Sequence, residues 1–222
     1  MKNAQSLLAL LQLVSPTLPV GAYTYSEGLE TLSQLELLTA TSLEDWLRQE
    51  LRYGAIQVEA AILIRSHHAA VQVDIDQLNY WNQWLSALRE TEEMRQQSWQ
   101  MGQALWRLLR DLQPASGFAA CQPPYNFAIA FAIAAATFEI EAKPAVLGYL
   151  QSWAANLINA AVRLVPLGQT QGQQILLNLA PVLADTAEAI LHLSDEQLEC
   201  CSWGVSLASM NHETLYSRLF RS

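Results

Sequence analysis

Cysteine is scarce in this 222-residue sequence, with three in all. Cys200 and Cys201 are adjacent and poorly placed to pair with each other, Cys121 stands apart, and no CxxC occurs, so a disulfide framework or a zinc-ribbon pattern is excluded. The three read as small apolar residues in a reducing compartment. Histidine is nearly as rare. His67 and His68 are sequence neighbours, which point about 100° apart on a helix. His212 opens "HETLY", which begins like the metalloprotease HExxH but carries Tyr216 where the second histidine belongs. No intrinsic metal site and no cofactor are expected. There is no GxSxG nucleophile turn, no Walker A loop and no GxGxxG, so nothing points to a catalytic residue or a bound nucleotide. Positive charge is short as well: 12 Lys and Arg stand against 21 Asp and Glu, for a net charge of −9. Nucleic-acid binding, which needs clustered basic side chains to neutralise phosphates, is disfavoured. The uncharged run 125–138 falls short of the roughly 20 residues needed to span a membrane. Lys2 with Leu7, Leu8, Leu10 and Leu11 is followed by no convincing cleavage site, so a cytoplasmic protein is expected.

What the sequence does have is apolar content, 51% of residues, spaced at helical intervals almost throughout. Thr41 with Glu44, and Ser42 with Asp45, offer capping boxes for a helix running through Trp46 and Leu47 to His68. Asp74 or Asp76 can cap the next, which holds Leu78, Trp81 and Leu85. From Glu90 to Leu112, Met94, Ser98, Met101, Leu105 and Leu108 form one stripe, with acidic residues at the start and Arg107 and Arg110 near the end. Pro114 and Gly117 mark a break. Residues 125–138 are apolar on all sides and rich in alanine, as a central helix must be. Pro144 suits the start of a helix through Leu150, Trp153, Leu157 and Ala161 to Leu164. Further helices are expected over Gly172–Leu179, Pro181–Leu193 and from Asp195 onward, with Ser194 and Gln197 as a capping box. No repeat or linker divides the chain. The expected fold is all-α: a single domain over 1–222, about eight to ten helices around the Ala-rich one.

Two loops and the C-terminal segment are richer than connections require. "SPTLPVGAYTYSEGLE" (15–30) stiffens its backbone with Pro16 and Pro19 and offers Tyr23 and Tyr25 before Ser26 begins a helix; it reads as a rigid capped loop or as a binding loop. "VPLGQTQGQQI" (165–175) combines Pro166 and Gly168 with four glutamines, and reads as a helix–helix turn or as a hydrogen-bonding surface. "MNHETLYSRLFRS" (210–222) sets Leu215, Tyr216, Leu219 and Phe220 beside Arg218 and Arg221. Chain ends fray unless tied down, so this apolar surface needs a partner, either the protein's own core or another chain.

Five blocks in order carry a resemblance: "SPTLPVGAYTYSEGLE", "TEEMRQQSWQMG" (91–102), "FAIAFAIAAA" (127–136), "NLINAAVRLVPLGQTQGQ" (156–173) and "HETLYSRLFRS". Together the sequence resembles the urease accessory protein UreF family. The loops around 70–76 and 114–124 match least. The resemblance implies an all-α, non-catalytic protein that forms a homodimer, binds the accessory protein UreD/UreH, recruits the GTPase UreG and engages apo-urease for nickel insertion. It also implies a partner-binding segment over 211–222. Its residues would be His212, Glu213, Leu215, Tyr216, Ser217, Arg218, Leu219 and Phe220, joined by Tyr25, Ser26, Gly28 and Glu30 in the first loop and Pro166, Gly168, Gln169 and Gln173 in the second. Two other readings stay open: a nickel chaperone using His67, His68, Cys200 or Cys201, and a helical hydrolase using His212 with Glu213.

Overall fold

A computed structural model describes residues 4–113 and 124–222. Within them the chain forms ten α-helices and no strand. These are α1 Ala4–Leu13, α2 Leu29–Gln34, α3 Ala40–Tyr53, α4 Ala55–Gln72, α5 Ile75–Leu88, α6 Glu92–Leu112, α7 Phe127–Thr137, α8 Ala142–Leu164, α9 Gln169–Ile190 and α10 Trp203–His212. The break expected at Pro114 and Gly117, and Cys121, lie outside the described residues.

The Ala-rich run is the centre, as its lack of a polar face requires: every residue from Phe127 to Ala135 is buried. It packs chiefly against α4 and α6. Small side chains let its neighbours come close. At Gly102 of α6 a Cβ would stand 2.0 Å from the Tyr125 carbonyl oxygen, so only glycine permits this approach. The entry to α7 is fixed by polar groups. Asn126 donates through its amide to the Asn82 carbonyl and to Ser86 Oγ, and the Phe127 N–H donates to Ser98 Oγ at 3.2 Å. Buried apolar side chains from α3 to α9 join this helix in one continuous cluster.

Several expected boundaries shift. The helix foreseen from Thr41 to His68 is two, because Gly54 adopts extended backbone (φ −89°, ψ 175°) and serves as the last cap of α3 and the first of α4. Its cap is Thr39 rather than Thr41 or Ser42: Thr39 Oγ1 accepts the Ser42 N–H at 3.1 Å, and Ser42 Oγ accepts the Thr39 N–H at 2.7 Å. Asp74 caps α5 through the Gln77 N–H. Pro144 lies in the first turn of α8, two residues after its start, where an N–H is not needed. The two helices expected on either side of Pro181 are the single helix α9. Pro181 faces solvent, as does Leu177 one turn earlier, so the unpaired carbonyl falls on the wet side. The Ser194–Gln197 capping box exists, but it opens only a 3-10 turn, and the α-helix beyond starts at Trp203.

The junction of α3, α4 and α10 holds a titratable group. Glu50 is buried there, and Ser202 Oγ donates to its carboxylate at 3.1 Å while accepting the Ala55 N–H at 2.7 Å. Burial, reinforced by the charges of Glu27 and Glu90 and opposed by the Ser202 bond, pushes its pKa up to about 7. The unfolded carboxyl keeps the ordinary value of 4.5. The folded chain therefore retains a proton that the unfolded chain has lost, and stability falls as pH rises from about 4.5 through about 7. Glu50→Gln is expected to remove this slope and to be more stable than the parent by up to about 3 kcal/mol at pH 8. Urea titrations at pH 5 and pH 8 measure it.

Candidate functional site

The two loops and the C-terminal segment meet at one end of the bundle. The first loop turns twice in the left-handed region at glycine, at Gly21 (φ 77°) and Gly28 (φ 86°), and Glu27 between them is held there as well (φ 51°). A Cβ at Gly28 would lie 2.8 Å from the Ala208 Cβ, so α10 rests directly on the loop. Thr31 Oγ1 seals the contact by donating to the Ala208 carbonyl at 2.9 Å.

Past α10 the chain reverses and residues 213–222 hook over this loop. Glu30, buried in the first turn of α2, is the anchor. Its Oε1 accepts the Leu219 N–H at 2.6 Å and its Oε2 accepts the Phe220 N–H at 2.9 Å. Ser26 donates to the Ser222 carbonyl from both its N–H (2.9 Å) and its hydroxyl (2.6 Å), and the Arg221 N–H donates to the Thr24 carbonyl at 2.9 Å. Phe220 is buried, with the Arg163 guanidinium 4.5 Å from its ring centre. Arg218 pairs with Glu93 of α6. His212, the last residue of α10, has no exposure at all; its Nδ1 lies 2.6 Å from Glu93 Oε2 and its Nε2 lies 3.3 Å from Glu30 Oε2.

The hook is also tied to a charged group in the interior. Ser222 Oγ donates to Gln97 Oε1 at 2.5 Å, Gln97 Nε2 donates to Glu27 at 2.8 Å, and Trp153 Nε1 donates to the other Glu27 oxygen at 2.9 Å. Glu27 shares a cavity of about 40 Å³ with Glu59, Arg89 and Tyr149, a volume that admits water. Arg89 sits 2.5 Å from Glu59, which also accepts the Tyr149 hydroxyl at 2.8 Å. Burial raises the Glu27 pKa, against the Trp153 and Gln97 bonds. Burial likewise drives Tyr149 well above its ordinary value, and the Glu59 charge adds to it. For Arg89 burial opposes the charge, but Glu59 and Glu27 outweigh it and hold the guanidinium ionised.

The expected site residues thus divide into those that hold the hook and those that it displays. Ser26, Gly28, Glu30, His212 and Phe220 are buried. Tyr25 is buried too, its hydroxyl donating to Gln100 at 2.9 Å. Tyr216 is fully exposed, Leu219 is 56% exposed, and Glu213, Ser217 and Arg218 face solvent, with Leu215 half-buried. Pro166, Gly168, Gln169 and Gln173 are exposed at the α8–α9 turn, where the Gln171 side chain accepts the Gly168 N–H at 3.1 Å. That turn adjoins the first loop, because Arg163 donates to the Tyr23 carbonyl at 2.8 Å and Ser33 to the Leu164 carbonyl at 3.2 Å. Glu93, Gln97 and Arg163 complete the site; no role is read for them in the sequence, although the first two lie in the block 91–102 and the third in 156–173. The other readings find little geometry. His67 is buried, with Nε2 2.7 Å from the Ile140 carbonyl and its pKa lowered by burial. The described residues contain no group of three His, Cys, Asp or Glu side chains able to hold a metal ion. Nor is any described helix long and apolar enough to cross a membrane.

The profile of the UreF family matches residues 37–180. The chain belongs to the UreF family. Urease accessory protein UreF of Trichormus variabilis is 54% identical over 218 residues, covering 97% of this chain and 95% of the relative. The protein of the same name from Microcystis aeruginosa is 55% identical across the whole of both chains, and that of Synechocystis sp. is 50% identical, also end to end. The UreF profile stops before the hook, but the Microcystis and Synechocystis relatives, matched from end to end, align through it.

Proposed function

We propose that this chain is a urease maturation factor that works as a non-catalytic scaffold in the cytoplasm. It binds the UreD/UreH accessory protein through the hook, recruits the GTPase UreG, and couples the GTPase's nucleotide state to nickel insertion into apo-urease as a homodimer. The observation that carries this reading is the division of labour along 212–222. Phe220 and the Leu219 and Phe220 N–H groups are committed to the protein's own fold, while Tyr216 and the Leu219 side chain are held out in solvent. An isolated fold gains nothing from presenting a tyrosine on an ordered segment, whereas aromatic side chains on pre-organised backbone are favoured anchors of interfaces. Coupling then follows from linkage, since a scaffold that contacts one partner state better shifts the population toward it.

Truncation at Met210 would test this poorly, because it also removes buried His212, Phe220 and Ser222. The sharper variant is Tyr216→Ala with Leu219→Ala, which leaves the anchors in place. It is expected to keep its helicity and melting temperature and to weaken capture of UreD/UreH by about 100-fold, the scale of losing two central anchors. Co-purification followed by light scattering reads both partner capture and the oligomeric state. Undiminished assembly with the double variant would sink the hook assignment.

A further inference from the structure

We propose that Arg89 and Glu27 form a water-bridged ion pair, and that the cavity they share is a binding site for ordered water. The starting point is an unsatisfied donor. Arg89 is 8% exposed and pairs with Glu59, yet its Nε–H meets no acceptor in the protein. Leaving a donor of a charged side chain unpaired at this depth is costly, and nearly all such groups in folded proteins are satisfied by protein or by water. Glu27 lies on the wall of the same cavity, but among the described residues the ion pair of Arg89 is with Glu59 and none joins it to Glu27. A polar contact across a gap of this kind is one that water fills.

The space suits water and little else. Its volume is about 40 Å³, against roughly 10–15 Å³ needed to hold one water. Arg89 Nε supplies a donor and the Glu27 and Glu59 carboxylates supply acceptors, with Ser152 and Asn156 also on the wall. An anion would meet two carboxylates. A metal ion would find no third ligand, since the described residues contain no group of three His, Cys, Asp or Glu side chains able to hold one. An apolar guest would leave Nε orphaned. Water accepts from Nε and donates to a carboxylate at once. The bridge also extends the relay from the hook: Ser222 donates to Gln97 and Gln97 to Glu27, so the water carries this chain of bonds on to Arg89 and Glu59.

The test uses the full chain alone, and no outcome depends on what the hook binds. A crystal structure that resolves ordered water is expected to show a peak within hydrogen-bond distance of both Arg89 Nε and a Glu27 oxygen. Crystals pressurised with xenon, which enters dry apolar cavities, are expected to show none here. In solution, oxygen-17 relaxation dispersion counts long-lived internal waters, and Arg89→Lys, which keeps the charge but removes Nε, is expected to lose at least one while remaining helical. Xenon in the cavity, an ion in place of water, Nε bonded directly to a protein oxygen, or direct contact between Arg89 and Glu27 would overturn the proposal. So would an unchanged water count in folded Arg89→Lys; if that variant does not fold, the two crystal experiments on the parent decide.

Discussion

Arg89→Met is expected to lose about 3–5 kcal/mol of folding stability, the range for removing one partner of a buried ion pair. Met fills much of the arginine's volume, so packing is nearly kept and the loss is electrostatic. Without the guanidinium, Glu59 and Glu27 lie in one enclosed site with no compensating charge, and each additional proton taken up to neutralise them must be bound against solution pH. The deficit is therefore larger at pH 8 than at pH 5. Denaturant titrations at the two values measure it; a variant as stable as its parent at both would mean that the cluster is wetter than its burial implies. Because Glu27 bonds Gln97 and Gln97 bonds Ser222, the same variant is expected to loosen the far end of the hook.

Glu30→Ala is expected to release the hook altogether. The carboxylate satisfies two backbone N–H groups and one side of the His212 ring, and alanine leaves all three facing a void. The segment has an escape that Arg89 lacks, since residues 213–222 can undock without unfolding the bundle. The cost is then capped near the hook's own docking energy, about 3 kcal/mol, made up of the Phe220 burial and charge-assisted bonds each worth about 1.5–3 kcal/mol before the entropy regained on release. The signature is fast amide exchange over 215–222, a melting temperature lowered by a few degrees, and partner capture reduced about 100-fold because ordering must be supplied at each encounter. Glu30→Gln, which can still accept the N–H groups, is expected to fall between. If Glu30→Ala kept slow exchange at Phe220, Glu30 would not be the anchor.

The fold was legible where one local pattern decided the outcome. The run 127–135 has no polar face in any orientation, so it could only be central. Pro181 misled because proline was weighed as a stop, while the buried series Ile175, Leu179, Val182, Leu183, Thr186, Ala187 and Ile190 runs past it at unbroken helical spacing. That series was the better signal: it places Pro181 on the face where a lost hydrogen bond is replaced by water. Gly54 erred the other way, since a lone glycine in an amphipathic run is tolerated in most helices; here its backbone is extended and the Glu50 carboxylate stands 2.0 Å from where a Cβ would be, a contact that no local pattern announces.

The site was legible as segments but not as pairings. Composition marked 15–30, 165–175 and 210–222, and the structure brings all three to one end of the bundle. Which of their residues turn inward could not be read, because Glu30 and His212 are 182 positions apart and a carboxylate on a short polar helix reads as solvated until its partner is in place. Tyr25 and Tyr23 look alike in sequence, yet the first is buried on Gln100 and the second is exposed. Tyr23 lies within the 3-10 turn Ala22–Thr24, whereas Tyr25 caps it in extended backbone.

The most direct test of the hook as a binding element is hydrogen exchange on the full chain, free and in complex with UreD/UreH. Added protection at residues 213–219 and at the adjoining 21–30 loop, with α7 unchanged, is the expected result. Protection gained elsewhere on the bundle while 213–219 exchanges as fast as in the free chain would contradict it, and would return the hook's apolar residues to the protein's own fold.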